Sequence, residues 1–182
     1  MKKELDPQRL DVALLAREGE RVEGQWRLAQ LQRLSDACVA PAGDAPLEPV
    51  AWSAEGETRT RPGAQPQVWL HVVADGAVWL QCQRCLQPMR EPLHVERSFR
   101  FVRDEAQAEA EDLDSEEDVL ALQRTHDLQE LVEDELILAL PLVPRHEICP
   151  EPLPLPVDDL EESPAESPFA KLAALKRSRP SS

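Results

Sequence analysis

The chain has 182 residues, with 35 acidic against 20 basic side chains, 17 prolines, four cysteines, no tyrosine and a net charge of −15. That length holds one ordinary domain with tails or two very small ones, and so acidic a surface is repelled by phosphate, which argues against a broad nucleic-acid-coating face. No run of 18 apolar residues exists to span a membrane, and the start MKKELDPQRL has no apolar secretory core, so a cytoplasmic protein with reduced cysteines is expected.

Asp6 and Pro7 form a helix start, since aspartate caps and proline fits the first turn. Leu10, Ala13 and Leu14 then share a face, and Gly19 is a stop. Leu28, Leu31 and Leu34 lie three apart and predict a second short helix ending near Ser35. Residues 50–60 suit a further strand. Val68, Leu70 and Val72 alternate with Trp69 and His71, and Val78 and Leu80 alternate with Trp79. The Asp75-Gly76 pair between them is a turn signal, which predicts a hairpin from about 67 to 82. Leu93, Val95, Phe99 and Phe101 form one period-2 face. Arg97 interrupts it, placing the strand at an edge there.

Residues 104–118, DEAQAEAEDLDSEED, hold nine carboxylates and no base, and are expected to form a mobile acidic loop. The strongest helix runs from 127 to 140. Asp127 and Glu130 form a capping-box pattern, and Pro141 forbids continuation. Leu128, Leu131, Val132, Leu136, Ala139 and Leu140 point inward, and Glu130, Glu133, Asp134 and Glu135 outward. These elements predict an α+β fold, a small antiparallel sheet flanked by helices, in a single domain over residues 1–149. A flexible Pro-rich acidic linker and a short C-terminal helix follow over 150–182.

Cys82-Gln-Arg-Cys85 is a C-x2-C beside a strand, and His146-Glu-Ile-Cys149 is an H-x2-C beyond the long helix. Together they offer three sulfurs and a nitrogen, a closed tetrahedral set for Zn2+. The competing reading puts Cys82 in the core and leaves the others incidental. A redox role for Cys82 and Cys85 needs the first thiol at a helix N-terminus, but LQPMREPL follows, with two prolines that suit a turn. Cys38 stands alone as a small apolar residue or idle thiol. His71 and His126 have no partner set, and there is no phosphate loop, nucleophile elbow or H-E-x-x-H. No small-molecule substrate is evident. Arg84, Arg90, Arg97, Arg100 and Arg103 crowd one stretch. They suit point contacts to RNA phosphate, or pairing with the acidic run next door.

QCQRCLQP at 81–88, LQELVEDELILALPLVPRH at 128–146 with Cys149 behind it, and SPFAKLAALKR at 167–177 resemble the YceD family of large ribosomal RNA subunit accumulation proteins. The resemblance implies a non-enzymatic factor for synthesis, processing or stability of 23S ribosomal RNA, with pre-ribosomal large-subunit components as partners. Cys82 and Cys85 match the family's first cysteine pair and Cys149 the last cysteine of its second. His146 stands where many relatives have a cysteine, a replacement that keeps a zinc ligand. The tail, with Phe169, Leu172 and Ala173 on one stripe and Lys176 and Arg177 at its end, suits docking to a partner or to phosphate. A zinc-dependent or redox enzyme using Cys82 and Cys85, and an acidic protein-binding adaptor, are the alternative functions.

Overall fold

Every even-numbered residue from Val68 to Leu80 is apolar or glycine, and this run organises the molecule. In the computed structural model, which describes residues 6–60, 62–63 and 65–150, the run lies within one uninterrupted strand. Among the described residues the five strands are β1 (Arg21–Trp26), β2 (Val50–Arg59), β3 (Gln67–Gln81), β4 (Pro88–Val102) and β5 (Asp118–Ala121), in the spatial order β1-β2-β3-β4-β5. The first four are antiparallel neighbours, and β5 runs parallel to β4 from Phe99 to Val102. The expected α+β class holds, with a parallel pair at one edge. Among the described residues no helix is long and apolar enough to cross a membrane.

Asp75-Gly76 is not a turn, so the hairpin expected over 67–82 is corrected to the single strand β3. Asp75 pairs with His94 and Gly76 with Leu93, deep in the β3–β4 ladder. A two-residue turn would place residue 77 opposite residue 74 and swap the parity of the buried face. The buried set instead continues on even numbers through Leu70, Val72, Ala74, Val78 and Leu80. Side-chain parity therefore overrides the local turn preference.

The N-terminal helices and the long helix that begins at Leu128 cover this even face. The helix expected from Asp6 is two pieces. Asp6 caps a 3₁₀ turn at Pro7–Arg9, and Asp11 caps α1 (Val12–Glu18), which ends at a left-handed Gly19. Between them Leu10 exchanges backbone hydrogen bonds with His126, at 2.9 and 2.8 Å, so the N-terminal segment is anchored to the chain just before the long helix. Burial depresses the His126 imidazole below its usual range. Val12, Leu15 and Ala16 are buried in place of the expected Ala13 and Leu14. α1 lies against Gly56 of β2, where a Cβ would come within 2.4 Å of the Ala16 nitrogen. Leu28, Leu31 and Leu34 are all buried, on a 3₁₀ turn at Leu28–Gln30 and the short helix α2 (Gln32–Asp36). β1 had no sequence signal, because Val22 and Trp26 are its only bulky apolar residues.

The acidic run is corrected in part. Glu105–Asp112 form a helix, α3, where self-repulsion predicts a loop. Asp104 caps it, accepting from the Gln107 N–H at 3.0 Å, and Ala108 packs with Val102 and Val119. Arg100 rises from the sheet to pair with Glu111, and Asp112 accepts from the Val119 N–H at 3.1 Å. Sheet residues thus supply the charge and donors that the run itself lacks.

α4 (Leu128–Leu138) is capped by Asp127, which accepts from the Glu130 N–H at 3.0 Å. Leu128, Val132 and Leu136 are buried, Leu131 is half-buried and Ala139 exposed. Glu133 and Glu135, expected outside, are buried. Glu133 accepts from the Leu34 N–H at 3.1 Å and from Arg33 at 3.3 Å. Glu135 meets Arg97 of β4 at 2.9 Å, which gives the arginine that breaks the apolar face its partner. The linker from residue 151 and the expected C-terminal helix lie outside the described residues.

Glu133→Ala should cost about 1–3 kcal/mol, because the Leu34 N–H loses its acceptor inside the protein. Asp134→Ala, which removes a more exposed contact to the same Arg33, should cost less than about 1 kcal/mol. Urea melts of the two variants test this order, and equal losses would contradict it.

Candidate metal centre

The β3–β4 ladder closes with Gln81 opposite Pro88, and the six residues between make a tight turn. The Cys82 N–H donates to the Gln87 carbonyl at 3.0 Å, and the Leu86 N–H to the Cys82 carbonyl at 2.9 Å. Leu86 has a φ of 61°, a left-handed conformation unusual for a bulky residue. Cys82 and Cys85 are buried, although the turn is at the tip of a hairpin.

The cover comes from the far side of the sequence. After α4 the chain passes Pro141 and Pro144 and returns to the turn. Gln83 donates its N–H to the Pro144 carbonyl at 2.8 Å, and the His146 N–H approaches Cys82 Sγ at 3.4 Å. His146 Nδ1 then lies 3.4 Å from Cys85 Sγ, and Cys149 Sγ lies 3.9 Å from Cys82 Sγ. The four expected residues, Cys82, Cys85, His146 and Cys149, place their donor atoms within 4.8 Å of one another. All are free thiols or imidazole with no disulfide among them. This Cys3His set could hold a metal ion.

The electrostatics favour anionic sulfur. Burial alone would raise the Cys82 thiol. The N–H groups of His146, Cys85 and Arg84, with the Cys85 thiol, outweigh burial and lower it to about 5. Cys85 is raised, first by burial and then by competition with Cys149 and Cys82 for negative charge, against the Gln87 N–H. The donors around Cys82 thus favour its thiolate, the form in which a sulfur ligates a metal.

The remaining candidates stay apart. Cys38 donates to the Leu34 carbonyl at 3.0 Å and packs against the core. His71 sits on the open sheet face with Ser98 and Glu96 as neighbours. His126 is held edge-on to Phe101. Of the five clustered arginines, Arg100 and Arg103 pair with the acidic segment, Arg90 with Glu48 and Arg97 with Glu135. Arg84 turns to the cysteine cluster, a contact the sequence signalled only by setting an arginine between two cysteines.

The model of a family described as large ribosomal RNA subunit accumulation protein YceD matches residues 70–176, a span that includes all four cluster residues. The large ribosomal RNA subunit accumulation protein YceD of Haemophilus influenzae is 30% identical over 161 residues, which is 85% of this chain and 86% of that protein. No solved structure matches the chain.

In metal-free protein, ultraviolet thiolate absorbance should show one ionised cysteine down to pH about 5, and the signal should vanish in Cys82→Ser. Because the folded pKa is depressed, the stability it contributes is complete above the ordinary thiol range and is lost as pH falls through that value. A titration midpoint near the ordinary thiol value would contradict the arrangement of donors around Cys82.

Proposed function

The chain belongs to the YceD family, and on that premise we propose that it is a non-enzymatic factor in biogenesis of the large ribosomal subunit, supporting synthesis, processing or stability of 23S rRNA. Family membership across most of the chain carries this reading. Its partners are pre-ribosomal large-subunit components, either 23S rRNA or proteins bound to it. The charge of −15 favours protein contacts or a limited RNA contact over a broad RNA-coating face. The apolar stripe and basic end of residues 167–177 supply a docking element of suitable chemistry.

Zn2+ is the ion we assign to Cys82, Cys85, His146 and Cys149. A tetrahedron with Zn–S of about 2.3 Å and Zn–N of about 2.0 Å has S···S edges of about 3.8 Å and S···N edges of about 3.5 Å. Two of the six separations here are close to those edges, 3.9 Å for Cys82–Cys149 and 3.4 Å for Cys85–His146, and all six lie within 4.8 Å. Four protein ligands fill the coordination sphere and leave no position for substrate or reactive water. When bound, the ion supplies a cross-link between the β3–β4 turn and the segment after α4. That supports a structural centre over the enzymatic alternative.

Purified protein should carry about one zinc per chain, and Cys82→Ser should lose it. With free zinc a hundredfold above Kd, the accompanying loss of stability should be about 2.7 kcal/mol. Wild-type protein that is metal-free without chelator and fully stable would overturn the assignment.

Depletion of the protein in its own organism, followed by ribosome gradients and rRNA quantitation, should lower 23S relative to 16S rRNA. Balanced subunits would overturn the proposed role. Full-length protein should restore the ratio, whereas protein lacking residues 168–182 should keep its thermal stability and restore it only in part.

A further inference from the structure

Arg84 stands between the first two cysteines, and its side chain reaches back across the cluster. Its Nε donates to Cys149 Sγ at 3.0 Å, and its Nη2 donates to the carbonyl oxygens of His146 and Glu147 at 3.0 and 3.2 Å. A guanidinium carried by one ligand pair thus holds both a sulfur and the backbone of the other, 65 residues along the chain. Its neighbour Gln83 holds the same returning segment through its backbone, at the Pro144 carbonyl. Both residues inside the C-x2-C are therefore committed to the segment that supplies His146 and Cys149.

We propose that Arg84 is the positioning residue of the metal centre: it orients Cys149, fixes the His146–Cys149 turn and neutralises the excess charge of the loaded site. This rests on the zinc reading given above. Three thiolates and a neutral imidazole around a dication leave one excess negative charge, and one guanidinium balances it. The carbonyls it grips belong to His146 itself and to the next residue, so they set where both ligand side chains start. Partners that orient ligands in this way contribute strongly to affinity. The chemistry needs arginine. Its planar fork offers five donors in fixed directions and here reaches three acceptors, whereas a lysine ammonium is a compact point charge.

The test compares full-length wild type, Arg84→Gln and Arg84→Lys, each loaded with cobalt(II) and then titrated with zinc against a competing chelator. Arg84→Gln should bind zinc about 10–100-fold more weakly. Its sulfur-to-cobalt charge-transfer band should move to longer wavelength, because Cys149 loses an N–H···S bond. A change of fold stability alone would not move that band. Arg84→Lys should recover part of the affinity through its charge, but not all of it. Zinc affinity in Arg84→Gln within about twofold of wild type, with an unshifted band, would overturn the assignment, since the contribution expected is at least tenfold. If Arg84→Gln does not fold, wild-type affinity and spectrum in Arg84→Lys would overturn it equally. A wild type that takes up neither metal is a separate result, and it would overturn the zinc reading itself.

Discussion

The turn from Cys82 to Gln87 is the point on which the rest of the chain closes. It caps the β3–β4 ladder, in which two strands of 15 residues pair from Val68–Phe101 to Gln81–Pro88. The segment after α4 must come back to this turn for Gln83 to find the Pro144 carbonyl and for Cys85 to meet His146. Closing a loop of that length costs entropy that grows slowly with its size. Once the ends are held, however, α4 is confined to the inner face of the sheet. The cluster therefore joins the hairpin tip to the end of the helix that covers the core.

α4 is seated by charge as well as by apolar contact. Leu128, Val132 and Leu136 fill the space over β3 and β4. Glu133 and Glu135, on the flanks of that stripe, reach in opposite directions to α2 and to Arg97 of β4. The helix is thereby limited in rotation about its own axis, because a turn in either sense separates one carboxylate from its partner. Arg97, an interruption on an otherwise apolar strand face, is the counterpart of this arrangement. It lies beyond the stretch where β5 pairs with β4, so its head stays partly in water.

α3 follows the same rule with opposite roles. Its carboxylates are too many for it to hold itself, and Arg100 on the sheet supplies the opposing charge. Arg100 and Arg103 are therefore spent on the acidic segment, and Arg90 and Arg97 on Glu48 and Glu135. Four of the five arginines thus follow the second sequence reading, pairing with carboxylates nearby. Arg90, Arg97, Arg100 and Arg103 share a local function, holding carboxylates of an acidic chain against its sheet, while Arg84 serves the cysteine cluster.

The amino-acid sequence by itself determined the spacing of the two ligand pairs, the capped start of α4, the leucines at 28, 31 and 34, and the apolar face of β4. Each of these is a short-range pattern, in which residues two to four apart share a side of one element. The long strand β3 was also legible, since its even-numbered parity crosses Asp75-Gly76 without a change of phase. A local turn preference hid it. Only the tertiary structure decided which carboxylates of α4 are buried, that the acidic run after β4 becomes a helix, and that Arg84 serves Cys149. Those outcomes depend on partners distant in the chain, Glu133 on Leu34, Arg84 on Cys149, or on a charge from a neighbouring element, as with Glu111 and Arg100. A carboxylate reads as a surface group until folding brings its counter-charge or its donor within reach, which offsets the cost of burying it.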